Sequence, residues 1–375
     1  MSAAGLTDVW DAPDDADDLD AAEDRDAAAR AEAAGHTRGR RVLVIPDGLA
    51  ERPGPLGTTL SSVKPMALNA VARRGAVRRV ATTPEGLQPG SEVGLPTLLG
   101  WAPTGVVSRG RIDAAAHGLD EPRGAVVHRV DVRHDDGRPW PELAPSALTL
   151  LRGLDEALHV EHLSAHRFLV WGHRTPTLPR RLDLDDLGSA HGVAGTHDPD
   201  DLPRFQLWPD GIEPPPILDE DTVVVCAPRS TMAGVARLMG AATVHPAGAT
   251  GRPGTSVAAK ARAAVSLLRD GIHTVVVHVG SPDEAAHARD PQAKRLEMQK
   301  IDRDLIAPLA AVVLDLGATL AIVPDHGTDP RTGEHLADPV PGVLWGPGVR
   351  SSGPDRVTEE AVAQAPVVSS PWRMD

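Results

Sequence analysis

Three aspartates stand at or just past the ends of short apolar runs: Asp47 after 41–46, Asp283 after 274–279, and Asp325 after 319–323. Histidines lie close by. Asp283 and His287 are four apart, a spacing that puts two side chains on one face of a helical turn, where they can share a cation. His326 directly follows Asp325, and His335 comes nine residues later in a stretch containing Gly and Pro. A lone acid at such a point is most simply a strand-ending turn or a helix cap. Three of them with three histidines point instead to metal ligation. Carboxylate oxygen combined with imidazole nitrogen suits Mn²⁺ or Zn²⁺, whereas Mg²⁺ and Ca²⁺ favour oxygen alone. Such metals polarise a phosphoryl group and lower the pKa of a bound hydroxyl or water, so a nucleophile is worth seeking. Pro89-Gly90-Ser91-Glu92-Val93-Gly94 reads as a tight turn entering the apolar stretch from Leu95 to Trp101. This places Ser91 at a helix N-terminus, where backbone N–H groups favour an anion. Local sequence alone is served as well by an ordinary serine N-cap with Glu92 in the first turn.

The runs that carry these residues are rich in β-branched side chains and read as buried strands: 41–46, 222–226, 274–279 and 319–323. Helical patterns lie between them. Residues 256–269 are rich in Ala, and in 291–317 the apolar positions Leu296, Ile301, Leu305, Ile306, Leu309, Val312, Val313 and Leu316 recur mostly at helical spacings. Buried strands alternating with helices predict an α/β fold with a mostly parallel sheet flanked by helices. In such sheets ligands gather beyond the carboxyl ends of the strands, which is where the three acids fall. From 106 to 221 the pattern breaks into Pro-rich segments with scattered His and Arg and weak strands at 125–132 and 167–171. An inserted α+β cap domain over 106–221 is expected, interrupting a core of 39–105 and 222–375.

Charge and composition narrow the function. Residues 1–36 hold eleven acids against Arg25 and Arg30, a net nine of the chain's fourteen negative charges. With little apolar surface to offset ordering entropy, 1–38 is expected to be a disordered acidic tail. An overall charge of −14 argues against nucleic acid as the partner. No apolar run is long enough for a membrane span, and the acidic start is not a secretory signal, so a cytoplasmic protein is expected. The single cysteine, Cys226, excludes an internal disulfide framework and is expected to be packed core. Oligomeric state is not legible.

The order Pro46-Asp47-Gly48, Pro89-Gly90-Ser91-Glu92-Val93, Asp283-x-x-x-His287, Asp325-His326-Gly327 and His335-x-x-Asp338-Pro339-Val340-Pro341 resembles the cofactor-independent phosphoglycerate mutases, and more closely their archaeal-type branch, within the alkaline phosphatase superfamily. Pro84-Glu85-Gly86-Leu87, Leu98-Leu99-Gly100-Trp101, Ser108-Arg109-Gly110-Arg111 and Ala247-Gly248-Ala249-Thr250-Gly251 agree with it. The resemblance covers roughly 40–110 and 222–350. It implies an alkaline-phosphatase-like core and two divalent ions, Mn²⁺ before Zn²⁺ or Mg²⁺. One ion would take Asp47, Ser91, Asp325 and His326; the other would take Asp283, His287 and His335. It further implies Ser91 as the nucleophile, a phosphoserine intermediate, and the conversion of 3-phosphoglycerate to 2-phosphoglycerate.

The chain departs from the family where substrate is held. The lysine usual in the helix after 222–227 is replaced near Ala233, Arg138-Pro139-Trp140-Pro141 stands where an arginine-rich stretch is expected, and the Asp-Pro-His motif is altered to His197-Asp198-Pro199-Asp200. Arg109, Arg129 and Arg167 are the candidate contacts to a small phosphorylated metabolite. The alternative is a metal-dependent phosphohydrolase or phosphotransferase acting on another small phosphorylated or phosphonate metabolite. A binding protein that merely retains the fold has no need to hold two cations.

Overall fold

In β1 (Arg41–Pro46), Val42 and Val44 enter one apolar cluster while Leu43 and Ile45 enter another. Both faces of the strand are therefore covered, the situation of a central strand in a parallel sheet. The computed structural model describes residues 39–120, 124–178 and 204–373; the acidic stretch 1–38 and His197-Asp198-Pro199-Asp200 lie outside them. In chain order the further strands are β2 (Ala76–Val80), β3 (Val126–Arg133), β4 (His159–Ser164), β5 (Arg167–Gly172), β6 (Arg204–Trp208) and β7 (Thr222–Val225). They continue with β8 (Ala242–Val244), β9 (Thr274–Val279), β10 (Thr319–Ile322), β11 (Gly327–Thr328), β12 (His335–Leu336), β13 (Val340–Trp345) and β14 (Val367–Val368).

Among the described residues the larger sheet has eight strands in the order β14-β2-β13-β10-β1-β9-β7-β8. Only β13 runs against the others. The expected strands are all present as the contiguous parallel block β7-β9-β1-β10. Three of the four lead to the chemistry-bearing acids at one edge.

The helix expected over 291–317 has a break of register. Helix Pro291–Ile301 passes through a π-turn at Asp302–Ile306 into helix Ala307–Val313. Leu296, read as part of the apolar face, is 49% exposed, while Met298, Ile301, Leu305 and Leu309 are buried. The five-residue step from Leu296 to Ile301 turns Leu296 well away from the face that the rest share. Asp302, in the π-turn, accepts from the backbone N–H groups of Ala67 and Leu68 and so caps helix Met66–Ala72.

Strands β3 to β6 form a separate antiparallel sheet in the order β4-β5-β3-β6. One face packs on helix Ala144–Leu154 around Trp140, Leu151, Phe168, Val170 and Phe205. The weak patterns at 125–132 and 167–171 correspond to β3 and β5, whereas β4 buries only Val160 and gave no signal. Within 106–221, helix Arg109–His117 lies on helix Thr231–Leu238, and Val107 and Ile112 belong to the core cluster beside β1. A Cβ at Gly234 would stand 2.0 Å from the Ile112 carbonyl oxygen. Gly234→Ala is therefore expected to lower stability by about 1–3 kcal/mol. Urea unfolding followed by circular dichroism measures this, and an unchanged midpoint would contradict so close a helix contact. Asp210 ties the smaller sheet to helix Arg109–His117, accepting from Arg111 Nε at 3.1 Å, Ser108 Oγ at 2.7 Å and Val127 N at 3.2 Å.

Candidate metal centre and nucleophile

Parallel pairing aligns Pro46 of β1 with Val279 of β9, and Val44 with Ile322 of β10. The residues that follow these strands emerge side by side, which brings Asp47, Asp283 and Asp325 to one edge of the sheet. Gly48 makes the close approach workable. Its φ is +60°, and a Cβ there would lie 2.4 Å from Asp283 Oδ1 and 2.6 Å from Thr328 Oγ1. Its N–H donates to Asp325 Oδ1 at 3.2 Å.

The ligand-type atoms fall into two groups, Asp47 with Asp325 and His326, and Asp283 with His287 and His335. In the first, His326 Nε2 lies 3.3 Å from Asp47 Oδ1 and 3.5 Å from Asp325 Oδ2. In the second, His287 Nε2 lies 3.1 Å from Asp283 Oδ2 and 3.0 Å from His335 Nε2. The four-residue spacing acts as expected, since Asp283 and His287 share helix Ser281–His287. His335 is carried back by the β11–β12 hairpin, in which it pairs with Thr328. The His326 and His335 rings approach to 4.2 Å between centroids, so the groups adjoin.

The imidazoles share one orientation. The Nδ1 atoms of His287, His326 and His335 face the carbonyl oxygens of Gly333, Gly327 and Pro89 at 2.9, 3.1 and 3.1 Å. These partners assign the proton to Nδ1 and leave each Nε2 lone pair turned toward the carboxylates, the arrangement that outer partners impose on metal-ligating histidine. Asp325 is fully buried and its Oδ2 has no hydrogen-bond partner. An orphaned buried carboxylate oxygen is costly. Burial, followed by the charges of Asp325 and Asp283, pushes the Asp47 carboxyl well above the usual carboxylate range. Burial and then His326 hold His335 down at about 4. A divalent cation in each group would satisfy the oxygen, relieve the repulsion and use the lone pairs, so the donor sets fit Mn²⁺ or Zn²⁺.

Ser91 opens helix Ser91–Leu98, but its side chain does not cap it; the N-cap is Gly90. The hydroxyl instead lies 3.4 Å from Asp47 Oδ1 and 3.2 Å from His326 Nε2. The ordinary-cap reading of this serine is thereby corrected. The helix seats directly on the site, since a Cβ at Gly94 would stand 2.2 Å from the Asp325 carbonyl oxygen.

The three candidate arginines differ in their engagement. Arg109 Nη2 donates to both oxygens of Glu92, at 2.8 and 2.7 Å, and its guanidinium stacks 3.9 Å from the Trp208 ring. Arg129 is buried and held by Asp131 through Nε at 2.8 Å and Nη2 at 3.0 Å, with Asp113 at 3.7 Å. Burial alone would lower its pKa, but Asp131 and then Asp113 hold it above the ordinary value. Arg167 is half-buried, its Nε has no hydrogen-bond partner, and burial followed by the Arg129 charge lowers its pKa. Asp113, Asp131 and Glu284 offset this in part.

Three residues at the site were missed from sequence. His278 Nε2 lies 3.0 Å from Asp47 Oδ2, and burial holds its imidazole at about 4. Lys260, at 0% exposure, donates to His278 O, and burial lowers its ammonium to about 8. Lys294, also fully buried, lies 3.1 Å from Glu51 Oε1 and donates to Thr328 O at 2.7 Å, while Thr328 Oγ1 donates to Asp283 Oδ1 at 2.6 Å. The alternation of β9 carries some signal for His278, a polar side chain within an apolar run. Each lysine sits in an amphipathic helix, where a lysine reads as part of the solvent face. Cys226 is buried as expected.

Residues 39–365 match the family model of the metalloenzyme superfamily. The chain is 28% identical over 370 residues to 2,3-bisphosphoglycerate-independent phosphoglycerate mutase 1 of Archaeoglobus fulgidus, covering 82% of this chain and 89% of that one. It is 26% identical over 380 residues to the corresponding mutase 1 of Methanocaldococcus jannaschii, covering 86% and 91%. Among solved structures, a Pyrococcus horikoshii protein superposes with a TM-score of 0.64 at 22% identity, covering 89% of this chain and 93% of the other. The cofactor-independent phosphoglycerate mutase of Thermoplasma acidophilum superposes with a TM-score of 0.54 at 18% identity, covering 90% and 97%. Among the described residues no helix is long and apolar enough to cross a membrane.

Proposed function

The chain belongs to the metalloenzyme superfamily, and on that premise we propose that it is a metal-dependent phosphoglycerate mutase, converting 3-phosphoglycerate to 2-phosphoglycerate through a phosphoserine on Ser91. The observation that carries this reading is the Ser91 hydroxyl between Asp47 and His326, on the edge where both ligand groups converge. Relatives named as 2,3-bisphosphoglycerate-independent mutases over most of the chain support it.

Asp47, Ser91, Asp325 and His326 would hold one divalent ion and Asp283, His287 and His335 the other, with Mn²⁺ preferred. When bound, the two ions would polarise the phosphoryl group and stabilise charge on the attacking and leaving oxygens. Ser91 Oγ forms the bond to phosphorus as the bond from phosphorus to the substrate oxygen breaks. The Ser91 hydroxyl faces Asp47 Oδ1 and His326 Nε2, and the proton it gives up matches the one the departing oxygen takes on. The second half reverses this, with the neighbouring hydroxyl of the same glycerate attacking the phosphoserine. Between the halves the glycerate must stay gripped and dry. We assign that task to the 106–221 cap, with Arg167 facing the substrate carboxylate and Arg109 placed beside the phosphoryl group by Glu92 and Trp208. A cytoplasmic setting, where such small phosphorylated metabolites are found, belongs to the same reading.

The test is product analysis. Mn²⁺-loaded protein given 3-phosphoglycerate is expected to yield 2-phosphoglycerate, followed by ³¹P NMR, with little free phosphate; phosphate as the main product sinks the mutase reading. The buried pairing of Arg129 with Asp131 favours the second reading, a phosphohydrolase, because it removes one cation from those available to grip a carboxylate. Arg167→Ala is expected to raise the ratio of hydrolysis to isomerisation by about tenfold, the loss of a charge-assisted contact of about 1.5 kcal/mol. An unchanged ratio would remove Arg167 from acceptor binding.

A further inference from the structure

His278 lies near the end of β9, the strand that pairs with β1 immediately before Asp47. It is 4% exposed, and its Nε2 sits 3.0 Å from Asp47 Oδ2. The other oxygen of the same carboxylate, Oδ1, faces Ser91 Oγ at 3.4 Å and His326 Nε2 at 3.3 Å. One carboxylate is thus divided between a supporting side and a reacting side. The Nδ1 atoms of the other three histidines meet backbone carbonyls, whereas among the described residues no backbone carbonyl accepts from His278 Nδ1, and its Nε2 meets Asp47 Oδ2. With no carbonyl to hold a proton on Nδ1, the His278 proton is free to sit on Nε2 and donate to Asp47 Oδ2, and that atom then has no lone pair for a cation. Behind it, Lys260 Nζ donates to the His278 carbonyl oxygen at 2.6 Å and straps the strand at this position.

We propose that His278 is a positioning residue for Asp47, its Nε2–H holding Oδ2 so that Oδ1 alone turns toward Ser91 and His326, with Lys260 fixing the strand beneath it. This rests on the reading of Asp47 as a metal ligand. A carboxylate held in one orientation binds a cation without first losing its rotational freedom, and loss of such an outer partner typically costs about 10–100-fold in metal affinity. The imidazole acts through Asp47 and touches no reacting atom.

Calorimetric Mn²⁺ titration of the full-length protein tests this with two variants. His278→Leu fills the space without a donor, and His278→Gln keeps an N–H near the position of Nε2. The leucine variant is expected to weaken one of the two Mn²⁺ sites by about 10–100-fold and leave the other unchanged, while the glutamine variant stays close to wild type. Equal losses in the two variants, or none in the leucine variant, overturn the proposal. ¹⁵N NMR of the metal-free wild type, labelled at histidine and held at a pH high enough to ionise Asp47, reads the bond independently of either variant: a proton on Nε2 of His278 is expected, and a proton on Nδ1 overturns the assignment. Wild-type protein that takes up no Mn²⁺ would sink the metal-centre reading itself, while the tautomer still decides the bond between His278 and Asp47.

Discussion

Ser91→Ala is expected to abolish turnover of 3-phosphoglycerate, lowering kcat by about 10⁴-fold or more, the scale of losing a covalent nucleophile. The alanine variant should fold and melt as the wild type does, because the Ser91 side chain does not cap its helix. Metal uptake should persist in large part, since Asp47, Asp325 and His326 keep their geometry. Rapid-quench mass spectrometry of the wild type should find phosphate on Ser91, and none on the variant. Near-normal turnover in Ser91→Ala would mean that an activated water, not the serine, attacks phosphorus. A variant that is inactive because it is unfolded would be exposed by its circular dichroism, so the two failures separate.

Asp325→Asn is the second change with a large expected effect. Asp325 is fully buried, with Oδ1 held by the Gly48 N–H and Oδ2 without a hydrogen-bond partner. The amide keeps the shape and removes the charge. Elemental analysis of Mn²⁺-loaded wild type should give about two equivalents, as a two-ion phosphoryl-transfer site requires. Asp325→Asn should fall toward one and lose about 10³-fold or more in kcat, the scale of removing one essential electrostatic element. His287→Ala should lose the other ion while sparing the first, because His287 belongs to the Asp283 group. Full occupancy in both variants would sink the ligand assignment. Loading should also weaken as pH falls, because ligands must be deprotonated and the buried Asp47 carboxyl holds its proton to unusually high pH in the metal-free protein.

The sequence by itself picked out the residues of the two candidate ligand groups and the strands that carry them. Asp47, Asp283 and Asp325 end short apolar runs, and β1, β9 and β10 are those runs. A strand covered on both faces must be apolar throughout, and the chain must then turn at its end, so strand and acid leave a local mark. The Asp283 and His287 pair is equally local, because one helical turn sets its geometry. The partners of these residues were decided only by the tertiary structure. His278 reaches Asp47 across the β1–β9 pairing, Lys260 reaches the His278 carbonyl from a neighbouring helix, and Lys294 lies beneath Thr328, 34 positions away in sequence. Nothing beside a lysine in an amphipathic helix tells whether its ammonium ends in water or under a sheet. The same limit applies to the arginines, where Arg129 and Arg167 look alike in sequence. Asp131, two residues along β3, shares its partner's strand face and takes the Arg129 guanidinium, while Arg167, on the facing strand β5, meets no carboxylate hydrogen-bond partner among the described residues. Which cation is paired and which remains to meet a ligand depends on distances between elements, and those exist only once the sheets have paired and packed.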